Sequence, residues 1–166
     1  KTDPETSDTV SFAGDWKWVD NNTALQLTAH PNVKFHNGEL LDAETLKFNI
    51  ERMRGKPEYN PSFASGQVAN FATVDRVEIV DQMTVKVFTK APDVTLPSKL
   101  ALDNVPFVPR KYILDGGDKV MTENPVGLGP YKFVSRRADA ELKSTRFDEF
   151  FNAQGQKYGP RTSYIK

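Results

Sequence analysis

The sequence contains no cysteine. Neither a disulfide framework nor a metal site built on thiolates is therefore possible. A chain without thiols suits export from the cytoplasm, but cytosolic domains can also lack cysteine, so this absence alone does not decide the compartment.

An excess of charge of one sign is also missing. The 22 Lys and Arg residues match the 22 Asp and Glu residues in number, and the formal net charge is zero. A neutral chain has no strong field that would draw it to nucleic acid or to an anionic membrane. No apolar run approaches the roughly 20 residues that a membrane helix needs. We therefore expect neither nucleic acid nor a membrane span.

Signals for targeting are absent from the N-terminal segment KTDPETSDT. It has no start methionine, no apolar signal-peptide segment and no lipidation motif. We expect a cut inside a longer protein, with residues 1–13 loosely ordered. The other terminus, RTSYIK, is expected to stop in the opening of a strand.

The residues of a catalytic or metal site are not found together. No Gly-x-Ser-x-Gly motif occurs, and neither His30 nor His36 has an evident Ser and Asp partner. A spacing of six between the two histidines does not fit helical metal ligation, and no acidic cluster stands at ligand spacing. We predict no enzyme activity, no cofactor and no metal, with both histidines on the surface or in turns.

The patterns that are present predict one α+β domain over residues 1–166, with a mainly antiparallel sheet and short flanking helices. A capped helix is predicted from Asp42 to the stop at Gly55, because Leu46, Ile50 and Met53 form one apolar stripe. Strands or hairpins are predicted at 16–20, 23–29, 33–36, 74–80, 83–89, 131–137, 140–146 and from about 162. Short helices are predicted at 93–102 and from Pro109 to Leu114, followed by a turn at DGGDK (115–119).

The stretch NPVGLGPYKFV (124–134) carries two glycines that could cradle a phosphate through backbone N–H groups. A phosphate loop requires a following helix N-terminus, but Gly129 is followed by Pro130 and a strand-like run. We therefore expect a turn that leads into a strand.

Three blocks in order carry a family resemblance. They are VKFHNGELLDAETLKFNIERM (33–53), VEIVDQMTVKVFTKAPD (77–93) and NPVGLGPYKFV (124–134). Together they resemble the extracellular solute-binding proteins, family 5, which serve ABC importers of peptides and nickel. The segment RFDEFFNAQGQKYGP (146–160) stands in the place of the family's Arg-Asn-x-x-Tyr-Trp-Gly segment but departs from it. A second departure is Leu128, where the family commonly has Thr. These departures concern the subgroup and not membership of the family.

The resemblance implies a subdomain inserted in lobe one of a two-lobe receptor with a type II periplasmic-binding-protein-like fold. The parent protein would capture a solute such as a peptide in the periplasm, or lipid-anchored at the outer face of the membrane. It would deliver that solute to the permease subunits of an ABC transporter. The fragment is expected to be monomeric. By position in the family pattern, Phe63, Gln67 and Asn104 would lie nearest the ligand. A non-transport module for ligand sensing or protein interaction on the same fold is the alternative.

Overall fold

The computed structural model describes residues 13–55, 58, 68–101, 106–117 and 119–150, together with the backbone of 164–165. The predicted site residues Phe63, Gln67 and Asn104 lie outside these ranges.

The first hairpin pairs β1 (Gly14–Val19) with β2 (Ala24–Ala29), and Gly14 lies opposite Ala29. Asp20, Asn21 and Asn22 in the turn all take left-handed backbone angles, which Asp and Asn tolerate best after glycine. A Cβ at Gly14 would lie 2.3 Å from the Thr28 carbonyl oxygen, so the close approach of the two strands requires glycine there. Both predicted strands are confirmed.

The segment between β2 and the first helix is a turn and was wrongly predicted as a strand at 33–36. Only one isolated bridge, Lys34 with Leu40, links it. The predicted Asn37-Gly38 turn is confirmed, because Gly38 has a φ of 89° and its N–H donates to the Phe35 carbonyl at 2.9 Å. The turn brings residues 33 and 41 together, so a longer strand cannot form.

Helix α1 (Ala43–Met53) begins and ends as its sequence predicts. The Asp42 side chain accepts a hydrogen bond from the Thr45 N–H at 2.8 Å, and Gly55 takes a φ of 73° just beyond the helix. Leu46, Ile50 and Met53 are buried, as expected. The polar residues Asn49 and Arg52 are buried as well, which the apolar stripe did not predict.

The second hairpin joins β3 (Val74–Ile79) to β4 (Thr84–Thr89), and β4 also pairs with β2. The resulting sheet is antiparallel throughout, in the order β1-β2-β4-β3. Helix α1 packs on it through a core of large apolar side chains, which includes Phe35, Ile50, Met53, Phe71 and Val87.

Three short helices follow: α2 (Leu96–Leu100), α3 (Arg110–Gly116) and α4 (Lys119–Glu123). Helix α3 has Pro109 as its N-cap and extends two residues beyond the predicted end at Leu114. The prediction of a turn at 115–119 is therefore partly wrong. The chain turns only around Gly117, whose φ is 68°, and α4 starts at Lys119.

A second sheet contains β5 (Tyr131–Arg137), β6 (Glu141–Arg146) and β7 (Tyr164–Ile165), paired antiparallel in that order. Its hairpin turns at Ala138–Asp139, as predicted, with Asp139 at a φ of 55°. The two antiparallel sheets with short helices confirm the α+β class. None of the helices in the described ranges combines the length and apolar character that a membrane crossing requires.

Candidate functional site

An apolar groove of about 390 Å³ lies over β1 and β2, on the face of the sheet that also carries the main core. Strand β1 contributes Trp16 and β2 contributes Leu27 to its floor. Leu100, Phe107 and Leu128 stand around it, and all three are partly buried against the main core. An apolar groove with a few polar groups at its margin is a common form of small-molecule site.

One ion pair and one hydrogen bond mark the polar margin of the groove. Lys34 Nζ lies 2.7 Å from Glu149 Oε2, and His30 Nε2 lies 3.1 Å from Asp15 Oδ2. Lys34, Glu149 and Asp15 all line the groove. Lys34 and Glu149 neutralise each other, and the margin therefore offers polar contacts in which both of these charges are paired.

Helix α1 holds one wall of the groove through two buried polar side chains. Asn49 Nδ2 donates to the Val108 carbonyl oxygen at 2.9 Å, and the Val108 N–H donates to Asn49 Oδ1 at 2.8 Å. Arg52 Nη2 donates to the Pro106 carbonyl oxygen at 2.9 Å. These contacts fix the backbone on both sides of Phe107, a residue of the groove wall.

The glycine stretch forms another wall and is held by His36. The Gly127 N–H donates to His36 Nδ1 at 3.2 Å, and His36 Nε2 donates to the Gly129 carbonyl oxygen at 2.9 Å. The His36 N–H also donates to the Gly127 carbonyl oxygen at 3.0 Å. Because the Gly127 N–H is already used, it is not available to an anion. The next residues, 128–130, bend directly into β5. This geometry supports the predicted turn and not a phosphate-binding loop.

The environment of His36 favours the neutral imidazole. Burial lowers the pKa of His36, and the positive charge of Lys132 lowers it further, against the opposing effect of the hydrogen bond to Gly129. The ring also meets Phe147 edge to face, with 5.1 Å between ring centroids. His36 therefore lies in a turn, as predicted, but it is half-buried. It links the segment between β2 and α1 to the residues just before β5 and just after β6.

Asp93 fixes α2, the helix that brings Leu100 to the groove. Its carboxylate accepts hydrogen bonds from Lys99 Nζ at 2.8 Å and Thr73 Oγ1 at 2.6 Å, and both the N–H and the hydroxyl of Thr95 also donate to it. Burial alone would raise the pKa of Asp93, but these donors outweigh burial and hold the pKa well below its usual range. Asp93 is therefore an anchor for α2.

The sequence predicted Phe63, Gln67 and Asn104 as ligand-side residues, and these three stay predictions because they lie outside the described residues. Sequence reasoning missed Asn49, Arg52 and His36 as residues that build the groove walls. The available signal for Asn49 was its position on the apolar face of α1, three residues after Leu46 and four before Met53. Among the described residues, no three His, Asp or Glu side chains are grouped so that they could hold a metal ion.

The family model described as "Bacterial extracellular solute-binding proteins, family 5 Middle" matches residues 11–165. The glutathione-binding protein GsiB of Pectobacterium atrosepticum is 31% identical over 124 residues, which are 75% of this chain and 23% of that protein. The dipeptide-binding protein of Escherichia coli is 21% identical over 137 residues, with 76% and 26% covered. The chain thus spans about a quarter of the length of these curated relatives.

A solved structure has the same fold over nearly the whole chain. NikZ from Campylobacter jejuni, solved in complex with Ni(L-His), matches with a TM-score of 0.74 and 22% identity. The match covers 99% of this chain and 31% of NikZ. At 22% identity the likeness to NikZ shows the fold alone. The family model matches residues 11–165, which include both sheets and the groove, and it shows the family. The chain belongs to the bacterial extracellular solute-binding proteins, family 5.

Proposed function

We propose that this chain is part of lobe one of an ABC-transporter substrate-binding protein, which captures a solute outside the cytoplasm and delivers it to the membrane permease. The match of the family model to residues 11–165 carries this proposal. The class of solute is proposed to be peptides, because two relatives are named for binding glutathione and dipeptides.

The chain's role in this protein is that of a scaffold and one partial wall of the solute pocket. The solute would be enclosed between two lobes, and the closed form would be the one that the permease subunits recognise. The groove beside Trp16 and Phe107 is the part of the described surface proposed to adjoin the pocket. Phe63, Gln67 and Asn104 are proposed to complete the same side.

The remaining properties follow from this role. Binding without chemical change requires no catalytic group, and we propose that the protein is not an enzyme and uses no cofactor. We place it in the periplasm or at the outer face of the cell membrane, in line with the family's extracellular description. Residues 1–166 are proposed to form a single domain that is monomeric by itself.

Uptake measurements in a deletion strain test the function. Deletion of the gene that encodes the full-length protein should abolish uptake of labelled di- or oligopeptides, and a plasmid copy should restore it. A strain that lacks the permease gene is the matched control and should show the same defect. Undiminished uptake together with altered signalling would overturn transport in favour of a sensing or interaction module.

A further inference from the structure

The segment 106–108 is attached to helix α1 by a side chain that acts like a neighbouring strand. The Asn49 amide pairs with both the N–H and the carbonyl of Val108, at 2.8 and 2.9 Å. Its second N–H donates to the Thr45 carbonyl at 2.8 Å, and Oδ1 also accepts from Arg52 Nη2 at 3.4 Å. A carboxamide offers two donors and two acceptor positions, so the capacity of Asn49 is fully used.

Loss of the Asn49 hydrogen bonds would lower the stability of the fold, because the side chain is fully buried. An apolar residue at position 49 would leave the N–H and the carbonyl of Val108 without these partners in a place that excludes water. Since 59 residues separate Asn49 from Val108 along the chain, the contact also fixes tertiary position and not only local shape. The wall segment would then lose its register against α1.

Phe107 is the residue that this attachment places. Its neighbours are held on both sides, Pro106 by Arg52 and Val108 by Asn49. Phe107 itself lines the groove and packs against the main core, whereas Val108 belongs to a second cluster with Phe48 and Ile113. The segment 106–108 therefore lies between two apolar clusters. The hydrogen bonds to Pro106 and Val108 hold the backbone from which the Phe107 ring extends.

We propose that Asn49 and Arg52 are positioning residues for solute capture, because they hold the backbone of 106–108 and thereby set the place of Phe107 on the groove wall. This inference rests on the proposed function, in which the groove adjoins the solute pocket. Asn49 and Arg52 touch no solute themselves. Their effect on affinity passes through Phe107.

A double-mutant cycle on the full-length protein separates this role from a purely structural one. Asn49→Ala and Phe107→Ala are combined, and calorimetry measures affinity for a set of di- and tripeptides. We expect each single variant to weaken binding by about tenfold, the usual scale for a lost buried contact. The double variant should be no weaker than Phe107→Ala alone, because the two residues act through one contact.

Met53→Ala is the matched control, since Met53 is buried in the same helix and does not line the groove. It should lower the melting temperature and leave affinity within twofold. If Asn49→Ala does not fold, Asn49→Leu replaces it, because a side chain branched at the same carbon fills the site and cannot pair with Val108. A loss of stability in the Asn49 variant with unchanged affinity, or additive losses in the double variant, would overturn the inference.

A readout without solute keeps this inference separable from the proposed function. 4-Fluorophenylalanine at position 107 reports the surroundings of the ring by its ¹⁹F resonance. We expect Asn49→Ala to shift or broaden that resonance and Met53→Ala to leave it in place; an unchanged resonance in Asn49→Ala would overturn the positioning of Phe107. If the wild type binds none of the peptides, the proposed peptide function and the claim for solute capture both fail. The ¹⁹F resonance then still tests whether Asn49 positions Phe107.

Discussion

Glu39 connects the turn before α1 to the start of α3, and its removal has a calculable cost. Glu39 Oε2 accepts from the Lys111 N–H at 2.9 Å and Oε1 accepts from the Tyr112 N–H at 3.0 Å. These are two of the N–H groups that an α-helix leaves without an internal partner. The Pro109 N-cap makes no side-chain cap hydrogen bond, so Glu39 supplies the cap from 72 residues away.

Replacing Glu39 by Ala should cost about 1.5 kcal/mol of unfolding free energy. Loss of a helix cap contributes about 1 kcal/mol, and loss of a negative charge at the helix N-terminus adds about 0.5 kcal/mol at low salt. For a chain of this length the melting temperature should fall by about 3–6 °C. Glu39→Gln should lose about 1 kcal/mol, because the charge is gone and its one carbonyl oxygen replaces two carboxylate oxygens as acceptors.

Urea unfolding followed by circular dichroism measures these differences. Glu123→Ala is the matched control: it removes the same charge from an exposed position at the end of α4 and should change stability by less than about 0.5 kcal/mol. High salt should reduce only the charge-dependent part of the Glu39 effect. The capping assignment would be refuted if Glu39→Ala cost no more than Glu123→Ala.

Three further outcomes are expected. Burial lowers the pKa of His36, so the unfolded chain binds a proton at this residue at higher pH than the folded chain does. The unfolding free energy of the wild type and of His30→Ala should therefore fall as pH drops below about 6.5. The same fall with pH should be smaller in His36→Ala. Asp93→Asn should lower the unfolding free energy by about 1–3 kcal/mol at pH 7. The difference from the wild type should shrink below about pH 4, where the wild type loses the stability that its lowered carboxyl pKa provides. A difference in unfolding free energy that stays constant with pH in urea melts would contradict this. Leu25→Ala, at a fully buried site of β2, should cost about 2–5 kcal/mol in urea unfolding, against less than about 0.5 kcal/mol for the exposed Leu142→Ala.

Local patterns were sufficient to predict most of the elements. Alternating residues located the β3–β4 and β5–β6 hairpins, and Asp42 and Gly55 located the ends of α1, because these features depend on neighbours within a few positions. The segment 33–36 has the composition of a strand, but the Gly38 turn returns the chain too early for one. Helix α4 was missed because its five residues carry too short a pattern to detect.

The groove could not be predicted, because its walls depend on contacts between distant residues. The pairing of β2 with β4 joins strands about 60 residues apart, and His36 reaches Gly127 across 91 positions. No local rule selects such partners, and the burial of Asn49 and Arg52 in α1 was not predicted from the sequence. The predicted ligand residues Phe63, Gln67 and Asn104 stay untested, since they came from the family resemblance and lie outside the described residues.

Calorimetric titration of the full-length protein tests solute capture most directly. The panel contains di- and oligopeptides, oligosaccharides and metal chelates, and the 166-residue chain alone is titrated in parallel. We expect saturable one-to-one binding of a peptide by the full-length protein. The isolated chain should give little or no heat beyond dilution, because a pocket between two lobes owes much of its affinity to burial on both sides. Failure of the full-length protein to bind any member of the panel, in preparations free of bound solute, would contradict the receptor function.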